Sequence, residues 1–115
     1  MVGPILRGEV RWGDFNPVVG HEQAGRRPLL VIQNNSGNEY SPTVIVAVIT
    51  SRIPQRDYPF LVALPPATLS RPCVVDCAQI RTIDKSRLLG EAAATLQPHT
   101  MAAVDEALRV SLGFF

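Results

Sequence analysis

The sequence predicts a mainly-β fold, a small and strongly curved barrel closed by one C-terminal α-helix. Three observations carry that expectation. Short runs rich in β-branched residues recur between Pro, Gly and Asn clusters. A single stretch with helical spacing comes last. No strand–helix–strand alternation is present, which sets aside the doubly wound nucleotide-binding folds. At 115 residues the chain reads as one domain over residues 1–115.

Taken in order, Gly8 to Trp12 alternates polar and apolar residues and fits a strand with one wet face. Gly13 to Arg27 holds Gly13, Pro17, Gly20 and Gly25 among polar residues and reads as a long exposed loop. A structureless loop of about 14 residues is uncommon in a compact domain and usually functional. Pro28 to Ile32 fits a buried strand, and Asn34 to Asn38 is a strong turn signal. Pro42 to Ile49, the most β-branched run, reads as the central strand, ending at Thr50-Ser51. Arg52 to Tyr58 is a polar connection. Phe60 to Leu64 and Cys73 to Ile80 read as strands, and Arg81 to Arg87 as a turn or single helical turn. Glu91 to Leu96 is ambiguous, because its alanines favour helix while its shortness and the following Pro98 favour strand. Pro98 suits a first helical position, and Met101, Val104, Leu108 and Leu112 form an apolar stripe at helical spacing to about residue 112.

Composition excludes more than it assigns. The apolar fraction of 46% suits a globular domain, and the formal charge of +1 does not by itself point to a nucleic-acid partner. Of the eleven basic residues, ten are Arg and only Lys85 is Lys. Arginine offers a rigid donor fork for phosphate, but codon usage would give the same count, so only particular arginines carry weight. No run approaches the roughly 20 apolar residues of a membrane span, and the N-terminus lacks the features of a secretory leader. Cys73 and Cys77, four apart in a strand, would have α-carbons about 13 Å apart, too far for a disulfide, and are expected to be buried thiols in a reducing cytoplasm. With no His beside them, a zinc site is poorly supported. The Walker, GxGxxG, GxSxG and HExxH patterns are all absent.

Polar residues concentrate where apolar strands end: Gly20 to Pro28, Ile49 to Arg52, and Gln79 to Lys85. Rigid strands holding such loops are a common setting for binding groups. These blocks also carry a resemblance. Gly8-Glu9-Val10, Asn16-Pro17, Gly20-His21-Glu22-Gln23 and Arg27-Pro28, then Ser41-Pro42-Thr43 leading to Ile49-Thr50-Ser51, then Gln79 to Lys85 with Arg87-Leu88, resemble the MazF/PemK toxins from about Gly8 to Leu112. Three blocks in order at similar spacing make the resemblance specific.

That resemblance implies a homodimer of SH3-like barrels of the CcdB/MazF type, in the cytoplasm. It implies a sequence-specific endoribonuclease toxin of a type II toxin–antitoxin system, cutting single-stranded mRNA and so inhibiting translation and growth. The reaction would need no metal or other cofactor. The ribose 2′-hydroxyl attacks the adjacent phosphate, leaving a 2′,3′-cyclic phosphate or 3′-phosphate and a 5′-hydroxyl. The partner would be a MazE-like antitoxin whose acidic tail meets the arginines at 26, 27, 52, 56 and 81. Catalytic roles fall by resemblance on Arg27 and Thr50, with Glu22 sensitive in a related branch and His21 suited by its intrinsic pKa to move a proton. RNA-binding positions are expected at Gln23, Asn34, Ser51, Arg52, Gln79 and Arg81. Physically, Arg27 supplies a permanent cation and Thr50 a donor for the charge that develops on a phosphoryl group.

One departure stands out. The PemK branch places an Asp two residues after an Arg at the positions of Ala78 and Asp76, so that pair is missing here. Two alternatives keep the barrel but change the function: a CcdB-like DNA gyrase poison, or a noncatalytic barrel binding RNA or a peptide. The Gly-x-Glu-Gln loop with Arg27 and Thr50 weighs against the first, since poisoning a protein needs no phosphate-directed pair.

Overall fold

The computed structural model describes residues 3–15 and 25–114. Its elements are β1 (Glu9–Asp14), β2 (Arg26–Val31), α1 (Asn35–Tyr40), β3 (Thr43–Thr50), β4 (Leu61–Ala63), β5 (Val74–Asp84), β6 (Leu88–Thr95) and α2 (Pro98–Leu112). The strands form one sheet in the order β4-β5-β3-β2-β1-β6, and each of these pairings is antiparallel. The expected mainly-β fold with a terminal helix is found, although the sheet is curled rather than closed into a barrel.

Two register shifts accompany the curl. Against β3, β5 jumps from Ile80 opposite Ala47 to Asp76 opposite Val48, leaving residues 77–79 in excess. Against β1, β6 jumps from Ala94 opposite Val10 to Leu89 opposite Trp12. Such bulges increase local twist and bend the strand that carries them.

β3 reads as an unbroken apolar run because it is buried on both faces. Val44, Val46 and Val48 pack with Leu29, Val31, Ile83, Leu88 and Phe15 on one side. Ala47 and Ile49 pack on the other with Val10, Leu30, Val75 and Cys77, and with Val104 and Ala107 of α2. The period of two along the strand is thus divided between two cores. The helix begins with Pro98 at its first turn and ends at Gly113, whose φ of 75° is the left-handed stop that glycine adopts without strain.

Two sequence expectations need correction, and two others are made definite. Asn34 to Asn38 is not a bare turn: Asn34 caps α1, its side-chain oxygen accepting from the Gly37 N–H at 2.8 Å. Gln33 and Asn38 then fasten the helix from beneath, with Gln33 Nε2 donating to Asn38 Oδ1 and the Thr43 carbonyl, and Asn38 Nδ2 donating to the Gln33 carbonyl. Second, residues 81–84 continue β5 because they pair with Val46 to Thr43, and the turn shrinks to a 3-10 turn at Lys85–Arg87. Third, the ambiguous 91–96 segment is mostly strand, its propensity overridden by pairing with β1. Fourth, the buried helix positions are Thr100, Val104 and Ala107; of the apolar stripe, Met101 and Leu108 pack half-buried against the core and Leu112 stays exposed.

Beneath the N-terminal segment, Arg11 is fully buried. Its Nε and Nη2 reach Glu9 Oε1 at 3.0 and 2.9 Å, and its remaining donors meet the carbonyls of Gly90 and Pro4. Cys73 and Cys77 are free, buried thiols, as the sequence suggested. Among the described residues no helix is long and apolar enough to cross a membrane.

Candidate active site

The end of the sheet where β2 begins and β3 stops gathers the chemistry. The β2–β3 register sets Leu29 against Val48. Continued by two residues, it sets Arg27 opposite Thr50. By alternation both side chains share the face of Leu29 and Val48. Both residues border one cavity of about 360 Å³, at the sheet edge where Trp12, Pro28, Ile49 and Cys73 of the other face also line it. Ser51 and Arg52 follow Thr50 on one rim, and Leu69, Ser70 and Arg71, from the β4–β5 connection, form another wall.

Local sequence explains why Arg27 can sit there. It pairs with Gly13 of β1, and a β-carbon at Gly13 would meet Leu29 Cδ1 at 2.5 Å. A larger residue there would force the fully buried Leu29 side chain to shift on the face it shares with Arg27. Gly25, at φ 89°, makes the turn into β2 that a larger residue would strain, and its carbonyl accepts from the Phe15 N–H at 3.1 Å.

Electrostatically the site is a concentration of like charge. Burial holds the Arg27 pKa below the ordinary arginine value, and the nearby charges of Arg52 and Arg81 lower it further. Arginine remains a cation through neutral pH all the same, so Arg27 serves as a fixed charge rather than a base. Arg81 stacks its guanidinium over the Phe15 ring at 5.0 Å, which fixes its direction. Among the described residues nothing accepts a hydrogen bond from the Arg27 guanidinium. The Thr50 hydroxyl oxygen accepts from the Arg52 N–H at 3.0 Å, which orients the hydroxyl and leaves its proton to donate. An anion carrying several acceptors would relieve the repulsion and engage these donors together.

Of the sequence-expected residues, the structure brings together Arg27, Thr50, Ser51 and Arg52, with Arg81 close enough to act on Arg27. Asn34 lies at the opposite end of β2, and its side chain is engaged in capping α1. Gln79 sits in the β5 bulge, donating to Asp76 Oδ2 at 3.0 Å, and does not line the cavity. Arg56 is exposed in the 51–60 connection, also outside the cavity lining. His21, Glu22 and Gln23 lie outside the described residues. Sequence reading missed Trp12, Ser70 and Arg71. The only signal for the last two was the polar pair Ser70-Arg71, followed by Pro72, just before β5. Among the described residues there is no group of three or more His, Cys, Asp or Glu side chains placed to hold a metal ion.

Residues 6–112 match the family of PemK-like, MazF-like toxins of type II toxin–antitoxin systems. The chain belongs to that family. Solved structures agree over nearly the whole length of this toxin. MazF from Deinococcus radiodurans is 34% identical, with a TM-score of 0.77 over 95% of this chain and 96% of that one. An endoribonuclease in complex with its cognate antitoxin, from a mycobacterial species, is 28% identical, with a TM-score of 0.79 over 96% and 97%. A MazE–MazF complex from Deinococcus radiodurans is 28% identical, with a TM-score of 0.76 over 95% of each chain.

Proposed function

We propose that this toxin is a sequence-specific endoribonuclease that cleaves single-stranded mRNA in the cytoplasm, halting translation and growth until a MazE-like antitoxin restrains it. The observation that carries the reading is that Arg27 and Thr50 line one cavity together with Arg26, Arg52 and Arg71. Similarity to an endoribonuclease held by its cognate antitoxin supports both the activity and the partner. Residues 1–115 act as a single domain, and the working form is a homodimer.

In the proposed reaction the ribose 2′-hydroxyl attacks the adjacent phosphorus, the bond to the 5′-oxygen breaks, and a 2′,3′-cyclic phosphate and a 5′-hydroxyl result. Water opening the ring gives the 3′-phosphate. Arg27 faces the non-bridging oxygens with paired N–H donors, and Thr50 donates a further hydrogen bond as their charge grows. Arg52 and Arg81 add to the field, and Ser51 supplies a hydroxyl beside the chain. The 2′-hydroxyl proton leaves to a base and the departing 5′-oxygen gains a proton; His21 and Glu22 are the proposed carriers, with Gln23 binding nearby. Because fixed guanidinium groups provide the positive charge, the reaction requires no metal or other cofactor.

The test is cleavage of a long RNA in excess chelator, followed by analysis of the ends. Activity should persist and leave 5′-hydroxyl termini. Replacing the ribose at the cut position by deoxyribose should stop cleavage. Loss of activity in chelator that magnesium restores, with 5′-phosphate products, would overturn the mechanism.

A further inference from the structure

Trp12 is the anomaly of β1. Val10 and Arg11 beside it are sealed from solvent, yet Trp12 is 38% exposed. Its cross-strand partners are Pro28 on one side and Leu89 on the other. It lines the Arg27–Thr50 cavity and also a second hollow of about 350 Å³, shared with Arg26 and Leu89. Arg26 likewise borders both. The two hollows are therefore neighbours that share Trp12 and Arg26, and among the described residues no carboxylate lines either.

A large apolar ring left uncovered next to a cationic cleft is poor packing for a free monomer but good chemistry for a nucleotide chain. Single-stranded RNA is commonly held by cations that follow the phosphates and aromatic faces on which bases stack. With a phosphate between Arg27 and Thr50, a neighbouring base has only to cross from the first hollow to the second to reach the indole. We infer that Trp12, flanked by Arg26 and Leu89, is the stacking platform for a nucleobase next to the cleaved phosphate, and so a determinant of substrate binding rather than of the chemical step. The inference rests on the ribonuclease reading above, and it adds a residue and a subsite to it. An acidic peptide with an apolar anchor is the competing occupant. Continuity with the Arg27–Thr50 cavity favours the base.

The chain contains one tryptophan, so its fluorescence reports this position alone. The ligand is a short RNA spanning a cleavage site mapped on a long transcript, with deoxyribose at the cut position to prevent turnover. Binding should quench the indole saturably. Trp12→Leu should raise KM for the cleavable form about tenfold or more with kcat little changed, and Trp12→Phe should restore most of the loss. One abasic position in the RNA should weaken wild-type binding yet have no further effect on Trp12→Leu. Unchanged thermal melts of the variants separate binding from folding. If wild-type protein cleaves RNA but Trp12→Leu leaves KM and the abasic scan unaltered, the stacking subsite is wrong while the ribonuclease reading stands. The stacking subsite is equally overturned if Trp12→Leu weakens only an antitoxin-derived acidic peptide, which would assign the indole to a protein partner. If the wild type cleaves no RNA, both readings fall.

Discussion

Glu9 and Arg11, two residues apart on one face of β1, form an ion pair of 2.9 Å in which the arginine is 1% exposed. The same Glu9 oxygen accepts from the Leu6 N–H at 2.9 Å, and Arg11 reaches back to the Pro4 carbonyl. The pair thereby ties the N-terminal segment to the sheet. Removing one member leaves a buried charge without its partner, which costs about 3–5 kcal/mol. Glu9→Ala should lower unfolding stability by that order in urea titrations. If the midpoint barely moves, the pair is not a structural anchor.

Arg27→Ala and Thr50→Ala should each slow RNA cleavage by roughly 100-fold or more, the scale of losing one donor to a developing oxyanion. Both lie at a cavity rim rather than in a core, so thermal melts should match the wild type. Arg27→Lys should recover only part of the rate, because a single ammonium cannot reproduce the paired donors. Single-turnover kinetics at saturating enzyme measures this directly, and full activity in either alanine variant would remove that residue from the mechanism.

Gly13→Ala should destabilise the fold by about 1–3 kcal/mol, the usual range for overpacking a filled core. The added carbon meets Leu29 Cδ1, and Leu29 is fully buried. Pairing it with Leu29→Ala should recover part of the clash at the expense of a cavity. A double-mutant cycle in guanidinium then reads the coupling, and strict additivity would show that the contact is not the cause.

Cys77 should be inert at neutral pH. Burial first, then the charges of Asp76 and Asp105, raise its pKa from 9.0 to about 11. Because the folded value lies above the unfolded one, the associated stabilisation is complete below pH 9 and is lost as pH rises toward 11. Cys77→Ala should flatten that alkaline decline in thermal melts between about pH 8.5 and 11. Thiol titration of the native protein should find Cys77 protected until the chain unfolds, and rapid labelling at about pH 8 would contradict the burial argument.

The fold was legible wherever burial and period coincide. The Val44–Ile49 run and the stripe of Val104 gave β3 and α2 because the cores that bury them impose those repeats. What stayed hidden was set by partners distant in sequence. Residues 81–84 look polar enough for a turn, and only pairing with β3 makes them strand. The helix after Asn34 depends on Gln33 and Asn38 satisfying each other, which no local propensity reveals. At the cavity, Arg27 and Thr50 were singled out through their setting in shared sequence blocks, and both border it. Trp12 and Arg71 belong to a strand and a loop that curling of the sheet brings to the same rim, so no spacing along the chain announces them.

The convergence of Arg27, Arg52 and Arg81 also has a thermodynamic side. The charges of Arg52 and Arg81 act against the Arg27 cation, an opposition that an intervening anion offsets. Polyanions that bind only the folded chain should raise its melting temperature, and the unliganded toxin should be easier to unfold than its packing alone would suggest. Neutralising Arg52 would relax that opposition while weakening the grip on phosphate. Selection for thermal robustness and selection for potency therefore pull this cluster in opposite directions, and a hardened variant obtained without substrate in the screen is expected to be a milder toxin.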